Sequence, residues 1–170
     1  EYADDTLDVH ESPGGPIATL SLTTSEHRDY YLGYSNSVIW PAFHNRLDLA
    51  LFEAGYFAAY CDVSEKFARA LKRLLKPDDV IWVHDYHFIM LAEALRRLDV
   101  RNPIGFFLHI PFPATQAFLA IPEFEVLGNA LAAYDLVGLQ SKADVGRLID
   151  TLQDAVFAQL LPDGRVRIGD

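Results

Sequence analysis

The spacing of hydrophobic residues predicts helices that alternate with strands over most of the chain. Over residues 55–76, apolar residues recur three or four positions apart and charged residues occupy the other face, which indicates an amphipathic helix. The apolar run 80–83 shows no alternation and indicates a strand covered on both faces. The same rhythm predicts a helix over 88–98, a strand over 104–110, a helix over 123–133, a strand over 136–139 and a helix over 142–152.

This order of elements predicts a Rossmann-like α/β fold with a doubly wound, mostly parallel sheet, because parallel strands need crossover helices. We expect residues 1–170 to form a single domain. Ser141 and Asp144 have the spacing of a capping box at the start of the last predicted helix. Short apolar runs predict further strands over 17–22 and 166–168, whereas the aromatic segment 30–43 receives no assignment.

The glycine pair near the start of the chain and the negative net charge count against phosphate-loop, nucleic-acid-binding and membrane-binding functions. Gly14 and Gly15 precede a strand instead of linking a strand to a helix, so an ordinary turn is favoured over a phosphate-binding loop. Asp and Glu number 24 against 14 Lys and Arg, and the resulting net charge of -10 disfavours nucleic acid and anionic membranes as partners. No apolar run approaches the roughly 18 residues of a membrane span, and Cys61 is the single cysteine. These features favour a cytoplasmic protein.

The chain starts at Glu1 and ends after a strand-like run, so we expect it to be cropped at both ends.

Two strand ends carry the candidate chemistry. Asp85 follows the strand over 80–83, and His109 lies at the end of the strand over 104–110. Ligands of open parallel sheets bind at the carboxyl ends of the strands, so both residues face the expected crevice if the strands are neighbours. Two structural alternatives stay open: Asp85 as a helix N-cap and His109 as a buried core histidine. A metal site formed by Asp85 with His84 and His87 is disfavoured, because these side chains would splay apart.

The aromatic segment offers a second kind of candidate site. Residues 30–44 combine several Tyr hydroxyls, an Asn side chain and a Trp indole N–H in a short space. Aromatic faces beside polar groups suit sugar rings. Core packing is the alternative for this segment, and composition alone does not assign a substrate.

Three segments together resemble the trehalose-6-phosphate synthases, a family of retaining glycosyltransferases. They are 31–46, which contains Trp40-Pro41 and Phe43-His44-Asn45-Arg46; 82–87, with the sequence WVHDYH; and 105–113, with the sequence GFFLHIPFP. The resemblance runs in register from about residue 17 to the end. It implies one lobe of a two-lobe GT-B glycosyltransferase, with the active site in the cleft between the lobes.

The resemblance also implies a reaction and a set of site residues. The family transfers glucose from UDP-glucose to glucose 6-phosphate, without a cofactor or metal, and forms trehalose 6-phosphate. By matching position, Tyr31 and Trp40 would hold the acceptor phosphate, Asp85 would bind sugar hydroxyls at the reacting centre, and His109 would contact the transferred glucose. Asp85 and His109 are therefore the expected catalytic residues.

Parts of the family pattern are missing from this sequence. The family's first Arg and glycine-rich loop do not match Gly14-Gly15, and the Arg, Lys and Glu that hold the nucleotide belong to its C-terminal lobe. We therefore expect the 170 residues alone to be inactive, because no cations stabilise the departing diphosphate. Homo-oligomerisation stays open. Alternative functions are a glucosylglycerol-phosphate synthase, a pseudo-glycosyltransferase, a non-catalytic sugar-phosphate-binding module and, from fold alone, a flavodoxin-like domain.

Overall fold

The computed structural model describes residues 7–169 and begins with an antiparallel hairpin of β1 (Leu7–His10) and β2 (Ile17–Leu20). Residues 1–6 and 170, at which cropping is expected, lie outside the described residues. Ser12 and Gly15 close the turn through two backbone hydrogen bonds of 3.0 and 3.2 Å. Gly15 has a φ of 116°, which glycine adopts without strain. The glycine pair therefore forms the ordinary turn that its position predicts.

A continuous helical segment follows the hairpin and includes the aromatic residues that received no assignment. It consists of α1 (Thr24–Glu26), a π-helix (His27–Ile39) and α2 (Trp40–Phe43). Thr23 caps its start, because the Thr23 hydroxyl accepts from the Glu26 amide while the Glu26 carboxylate accepts from the Thr23 amide at 2.7 Å. The hydrophobic spacing predicts no helix here, because the buried positions of the π-helix would spread over more than half the circumference of an α-helix.

Over residues 44–169 the chain contains the predicted helices and strands, together with one further α-helix and one further strand. In chain order, these elements are α3 (Tyr56–Lys72), β3 (Ile81–His84), α4 (Leu91–Arg97), β4 (Ile104–Phe107), α5 (Thr115–Leu119), α6 (Phe124–Ala132), β5 (Leu136–Gly138), α7 (Lys142–Val156), β6 (Gln159–Leu160) and β7 (Val166–Arg167). Short 3-10 turns occupy Leu47–Leu49 and Tyr86–Phe88. Strands β6 and β7 form an antiparallel hairpin near the end of the chain.

Strands β3, β4 and β5 form a parallel sheet in that order, which confirms the predicted Rossmann-like α/β fold. The expectation that β3 is covered on both faces is wrong for the described residues. Its side chains alternate between buried and exposed, and Trp82 is 44% exposed. The indole lies over Gly105 on β4, where a Cβ would collide with the ring. One face of β3 thus packs in the core while the other carries Trp82 and His84.

The core joins the helical segment to the end of β4. Phe112, just beyond β4, packs against Phe43 of α2 and Phe118 of α5, with ring centroids 5.6 and 5.8 Å apart. All three rings are almost fully buried, and burial of one such side chain contributes roughly 1.5–3 kcal/mol. This cluster fixes the helical segment relative to the ends of the strands. Within residues 7–169, no helix has the length and apolar character needed to cross a membrane.

Candidate functional site

Asp85 leaves β3 in a strained backbone conformation. Its amide donates to the Phe107 carbonyl at 2.8 Å, which extends the ladder between β3 and β4 by one bond. Its φ of 71° and ψ of 166° fall in a region that is almost restricted to glycine. Such a conformation costs about 1–3 kcal/mol and persists where the surrounding structure holds it, often at functional sites.

The carboxylate of Asp85 links the ends of two strands. Its Oδ1 accepts from the Tyr86 amide at 3.0 Å and from the His109 amide at 3.2 Å. The capping alternative is therefore correct in part, since Asp85 precedes the 3-10 turn and bonds to its first amide. The same oxygen also brings Asp85 and His109 to one rim of the sheet. Oδ2 has no hydrogen bond within residues 7–169, which leaves it available to a ligand.

His109 lies exposed at this rim and is not the core histidine of the structural alternative. Its Nε2 lies 2.8 Å from Nδ1 of His84, and the two rings stack with centroids 5.1 Å apart. A contact of this length requires one ring N–H and one lone pair, so each histidine fixes the tautomer and orientation of the other. The sequence pattern predicts no role for His84 apart from the disfavoured metal site. The sequence does contain a signal for the pairing of His84 with His109, because His84 is the last residue of β3, the strand that pairs with β4.

Contacts beyond β4 fix the exit of the chain from the rim. The Phe112 amide donates to Asp144 Oδ1 at 3.2 Å, and the Ala114 amide donates to Asn45 Oδ1 at 3.0 Å. The predicted cap of α7 is confirmed in its first half, because the Asp144 amide donates to the Ser141 hydroxyl at 3.1 Å. The Ser141 hydroxyl in turn donates to Asp144 Oδ2 at 2.6 Å, so the carboxylate bonds to the Ser141 side chain and not to the Ser141 amide.

Tyr31 reaches the loop that follows β3, residues 85–88, through stacked rings; this segment is called the Asp85 loop. It packs between His27 and His87, with centroid distances of 5.2 and 5.4 Å, and His87 stacks on Tyr86 at 4.1 Å. Tyr31 remains 40% exposed. The helical segment and the end of β3 therefore meet at Tyr31, as a shared site requires.

Trp40 lies at the other end of the π-helix. Its indole stacks on His44 with centroids 4.1 Å apart and is 39% exposed. The contacts recorded among residues 7–169 do not join Trp40 to Asp85 or His109. In the same part of the chain, no three Asp, Glu, His or Cys side chains converge as a metal site would require. The site thus consists of the Asp85 carboxylate with His84 and His109 at the carboxyl ends of β3 and β4, and Tyr31 lies beside them against the Asp85 loop.

Burial of the Asp85 loop affects two neighbouring titratable groups. Burial lowers the pKa of His87, and the nearby Asp85 carboxylate opposes this shift only in part. His87 Nε2 is buried and has no hydrogen-bond partner within residues 7–169. Burial, with a contribution from Asp85, raises the pKa of Tyr86 to about 12. His87 and Tyr86 are therefore both neutral at physiological pH and pack as stacked rings.

We expect the stability of the chain to decrease below about pH 6.5 because of His87. Its pKa is lower in the folded state, so the unfolded state binds the proton first as the pH falls. The stabilisation is complete above pH 6.5 and is lost progressively below it. Urea unfolding at pH 8 and pH 5 measures this effect, with His87→Phe as the control that keeps an aromatic ring. An equal pH dependence in both proteins would contradict the assignment.

The sequence matches one protein family over nearly its whole length. Residues 10–169 match the model of glycosyltransferase family 20. The trehalose-6-phosphate synthase of Sodalis glossinidius (strain morsitans) is 43% identical over 164 residues, which cover 96% of this chain and 35% of the relative. The trehalose-6-phosphate synthase of Enterobacter sp. (strain 638) is 46% identical over 127 residues, which cover 75% of this chain and 27% of the relative. The chain thus spans about a third of the length of these relatives.

Solved structures show the same fold. An α,α-trehalose-phosphate synthase (UDP-forming) from Burkholderia xenovorans, in complex with glucose-6-phosphate, has a TM-score of 0.91 and 42% identity, over 96% of this chain and 36% of that chain. A trehalose-6-phosphate protein from E. coli, bound with UDP-2-fluoro glucose, has a TM-score of 0.91 and 35% identity, over 100% of this chain and 39% of that chain. The predicted fold class, a Rossmann-like lobe of the GT-B type, is confirmed by this agreement. On the family match and these identities, the chain belongs to glycosyltransferase family 20.

Proposed function

We propose that this chain is the acceptor-side, N-terminal lobe of a trehalose-6-phosphate synthase. The full-length protein would transfer glucose from UDP-glucose to glucose 6-phosphate with retention of configuration and release UDP. One observation carries the proposal: the strained Asp85 binds the His109 amide at the rim of the parallel sheet, where both residues lie in segments that match the family. The ligands of the two related structures, glucose-6-phosphate and UDP-2-fluoro glucose, support this choice of substrates.

The free atoms at the rim suggest a role for each residue. Asp85 Oδ1 is engaged by two backbone amides, so Oδ2 is the oxygen that would accept from a sugar hydroxyl at the reacting centre. His109 Nε2 is engaged by His84, so Nδ1 would face the transferred glucose. Tyr31 and Trp40 would donate their phenol O–H and indole N–H to the phosphate of glucose 6-phosphate.

The transfer needs no atom or electron from a cofactor. The bond between the anomeric carbon and the diphosphate oxygen breaks, and the anomeric carbon bonds to the acceptor oxygen on the same face. The acceptor proton goes to an oxygen of the leaving diphosphate. The C-terminal lobe would supply the cations that stabilise this oxygen, so the 170 residues alone are expected not to release UDP. Such an enzyme would act in the cytoplasm.

The test of this function is UDP release by the full-length protein with UDP-glucose and glucose 6-phosphate. Trehalose 6-phosphate should appear in the same amount as UDP. Transfer to glycerol 3-phosphate instead would identify a glucosylglycerol-phosphate synthase, and binding of glucose 6-phosphate without turnover would identify a non-catalytic module.

Trp40→Ala in the full-length protein should raise the KM for glucose 6-phosphate roughly 10- to 150-fold. The substitution removes one hydrogen bond to a charged group, which contributes about 1.5–3 kcal/mol, and about 1.4 kcal/mol corresponds to a factor of ten. Steady-state kinetics with varied acceptor measures the effect. Leu32→Ala is the matched control, because Leu32 is an exposed apolar residue of the same helical segment. An unchanged KM in Trp40→Ala would refute the phosphate role.

A further inference from the structure

The π-helix has an unusual length and a defined end. It runs for 13 residues, His27–Ile39, and the Trp40 amide that follows donates to the Ser35 carbonyl five residues earlier. Most π-helices are single turns inside α-helices, and they occur frequently at functional sites. A segment of this length requires contacts that hold the wide turn open.

The wide turn changes which side chains share a face. Tyr31 and Trp40 are nine residues apart, which is two and a half turns of an α-helix and would place them on opposite faces. Hydrogen bonds from i to i+5 give about 4.4 residues per turn, so nine residues make about two full turns. Tyr31 and Trp40 therefore lie on one face, and both are partly exposed. The buried residues Tyr30, Tyr34 and Val38 repeat every four positions and face away from this surface.

Asn36 lies on the same face, between Tyr31 and Trp40, and connects the π-helix to the Asp85 loop. Its Nδ2 donates to the Tyr31 carbonyl at 2.7 Å, and its Oδ1 accepts from the Tyr86 hydroxyl at 2.9 Å. Tyr86 is buried and directly follows Asp85. One amide side chain thus holds a turn of the π-helix and the loop that carries the candidate carboxylate.

We propose that Asn36 is the positioning residue that holds the Tyr31–Trp40 face of the π-helix in register with Asp85. The proposal rests on the proposed function only for the identity of the ligand, which is glucose 6-phosphate. Asn36 itself does not contact the reacting atoms. It acts through its bonds to the Tyr31 carbonyl and the Tyr86 hydroxyl. Both bonds are needed to keep a fixed distance between the phosphate-binding residues of the π-helix and the Asp85 carboxylate.

Ser37 provides a matched control. Its hydroxyl donates to the Leu32 carbonyl at 2.7 Å, which is the same five-residue contact that Asn36 makes to Tyr31. No contact within residues 7–169 links the Ser37 side chain to the Asp85 loop. Ser37→Ala therefore removes a bond across the π-helix turn without removing the connection to Tyr86.

The first measurement is hydrogen–deuterium exchange of the full-length protein, which is independent of the substrate. Asn36→Ala should accelerate exchange both in 27–43 and in 84–89, whereas Ser37→Ala should affect 27–43 alone. Tyr86→Phe should reproduce the effect on 84–89. If Asn36→Ala changes 84–89 no more than Ser37→Ala does, the proposal is wrong.

The second measurement is steady-state kinetics on the same variants. Asn36→Ala and Tyr86→Phe should each raise the KM for glucose 6-phosphate roughly three- to tenfold, and the double variant should show no further increase, because both break the same connection. The KM for UDP-glucose should not change. Additive effects, or an equal rise for both substrates, would overturn the proposal. If the unmodified protein does not use glucose 6-phosphate, the proposed function fails, and the exchange data alone decide the role of Asn36.

Discussion

Asp85→Gly in the full-length protein should lower kcat/KM for transfer roughly 100- to 1,000-fold with little change in stability. Loss of one preorganised polar group at a reacting centre has an effect of this order. Glycine accepts a φ of 71° and a ψ of 166° freely, so the variant regains about 1–3 kcal/mol of backbone strain. It loses two hydrogen bonds of about 1 kcal/mol each, from amides at a partly exposed rim. These terms nearly cancel, and the free energy of unfolding should change by about 1 kcal/mol or less.

Asp85→Asn separates the charge of the side chain from its shape. Asparagine has nearly the same shape and backbone strain as aspartate at this position, and it keeps one oxygen that can accept from the Tyr86 and His109 amides. We therefore expect it to preserve stability and the position of the loop while losing most of the activity. Kinetics and urea unfolding of both variants measure the two effects separately. A full loss of folding in Asp85→Gly, or near-normal transfer in Asp85→Asn, would contradict the role assigned to the carboxylate.

The parallel sheet could be predicted from the sequence because its strands are uninterrupted apolar runs between amphipathic helices. The rim also followed from general rules, since the carboxyl ends of neighbouring parallel strands meet. The positions of Asp85 and His109 after two neighbouring strands therefore predict that they lie together. Strand lengths were less predictable: the strand predicted over 104–110 ends at Phe107, and the His109 amide donates to the Asp85 side chain instead of to a neighbouring strand.

The helical segment over residues 24–43 could not be predicted from the sequence, for a physical reason. Pattern analysis assumes a period of 3.6 residues, at which the buried positions of the π-helix would spread over more than half the circumference of the helix. These positions are Tyr30, Gly33, Tyr34, Ser35, Val38 and Ile39. One local signal was present, since Thr23 and Glu26 have the spacing of a capping box. The strain at Asp85 could not be read from the sequence, because aspartate in this conformation depends on the amides of Tyr86 and His109 that hold it.

Glu26→Gln should destabilise the fold by about 3 kcal/mol, because it leaves a buried ammonium without its counter-charge. The Lys66 side chain is 5% exposed, and its Nζ donates to both Glu26 oxygens at 3.0 Å and to the Ser21 carbonyl at 2.9 Å. Burial of Glu26 raises its pKa, but the Thr23 amide and Lys66 outweigh burial, so the pKa lies below the ordinary value. This pair anchors the start of the helical segment to α3 and so supports the position of Tyr31.

Lys66→Met and the double variant decide whether charge is the cause. Lys66→Met leaves Glu26 partly exposed to water, so it should cost less than Glu26→Gln, and adding Lys66→Met to Glu26→Gln should restore most of the lost stability. The stabilisation by Glu26 is complete above its unfolded pKa of about 4.5 and decreases as the pH falls below it. Urea unfolding at pH 7 and pH 4 should therefore show a smaller difference between the unmodified protein and Glu26→Gln at pH 4. Additive losses in the double variant, or a difference that grows at low pH, would show that packing and not the ion pair holds this junction.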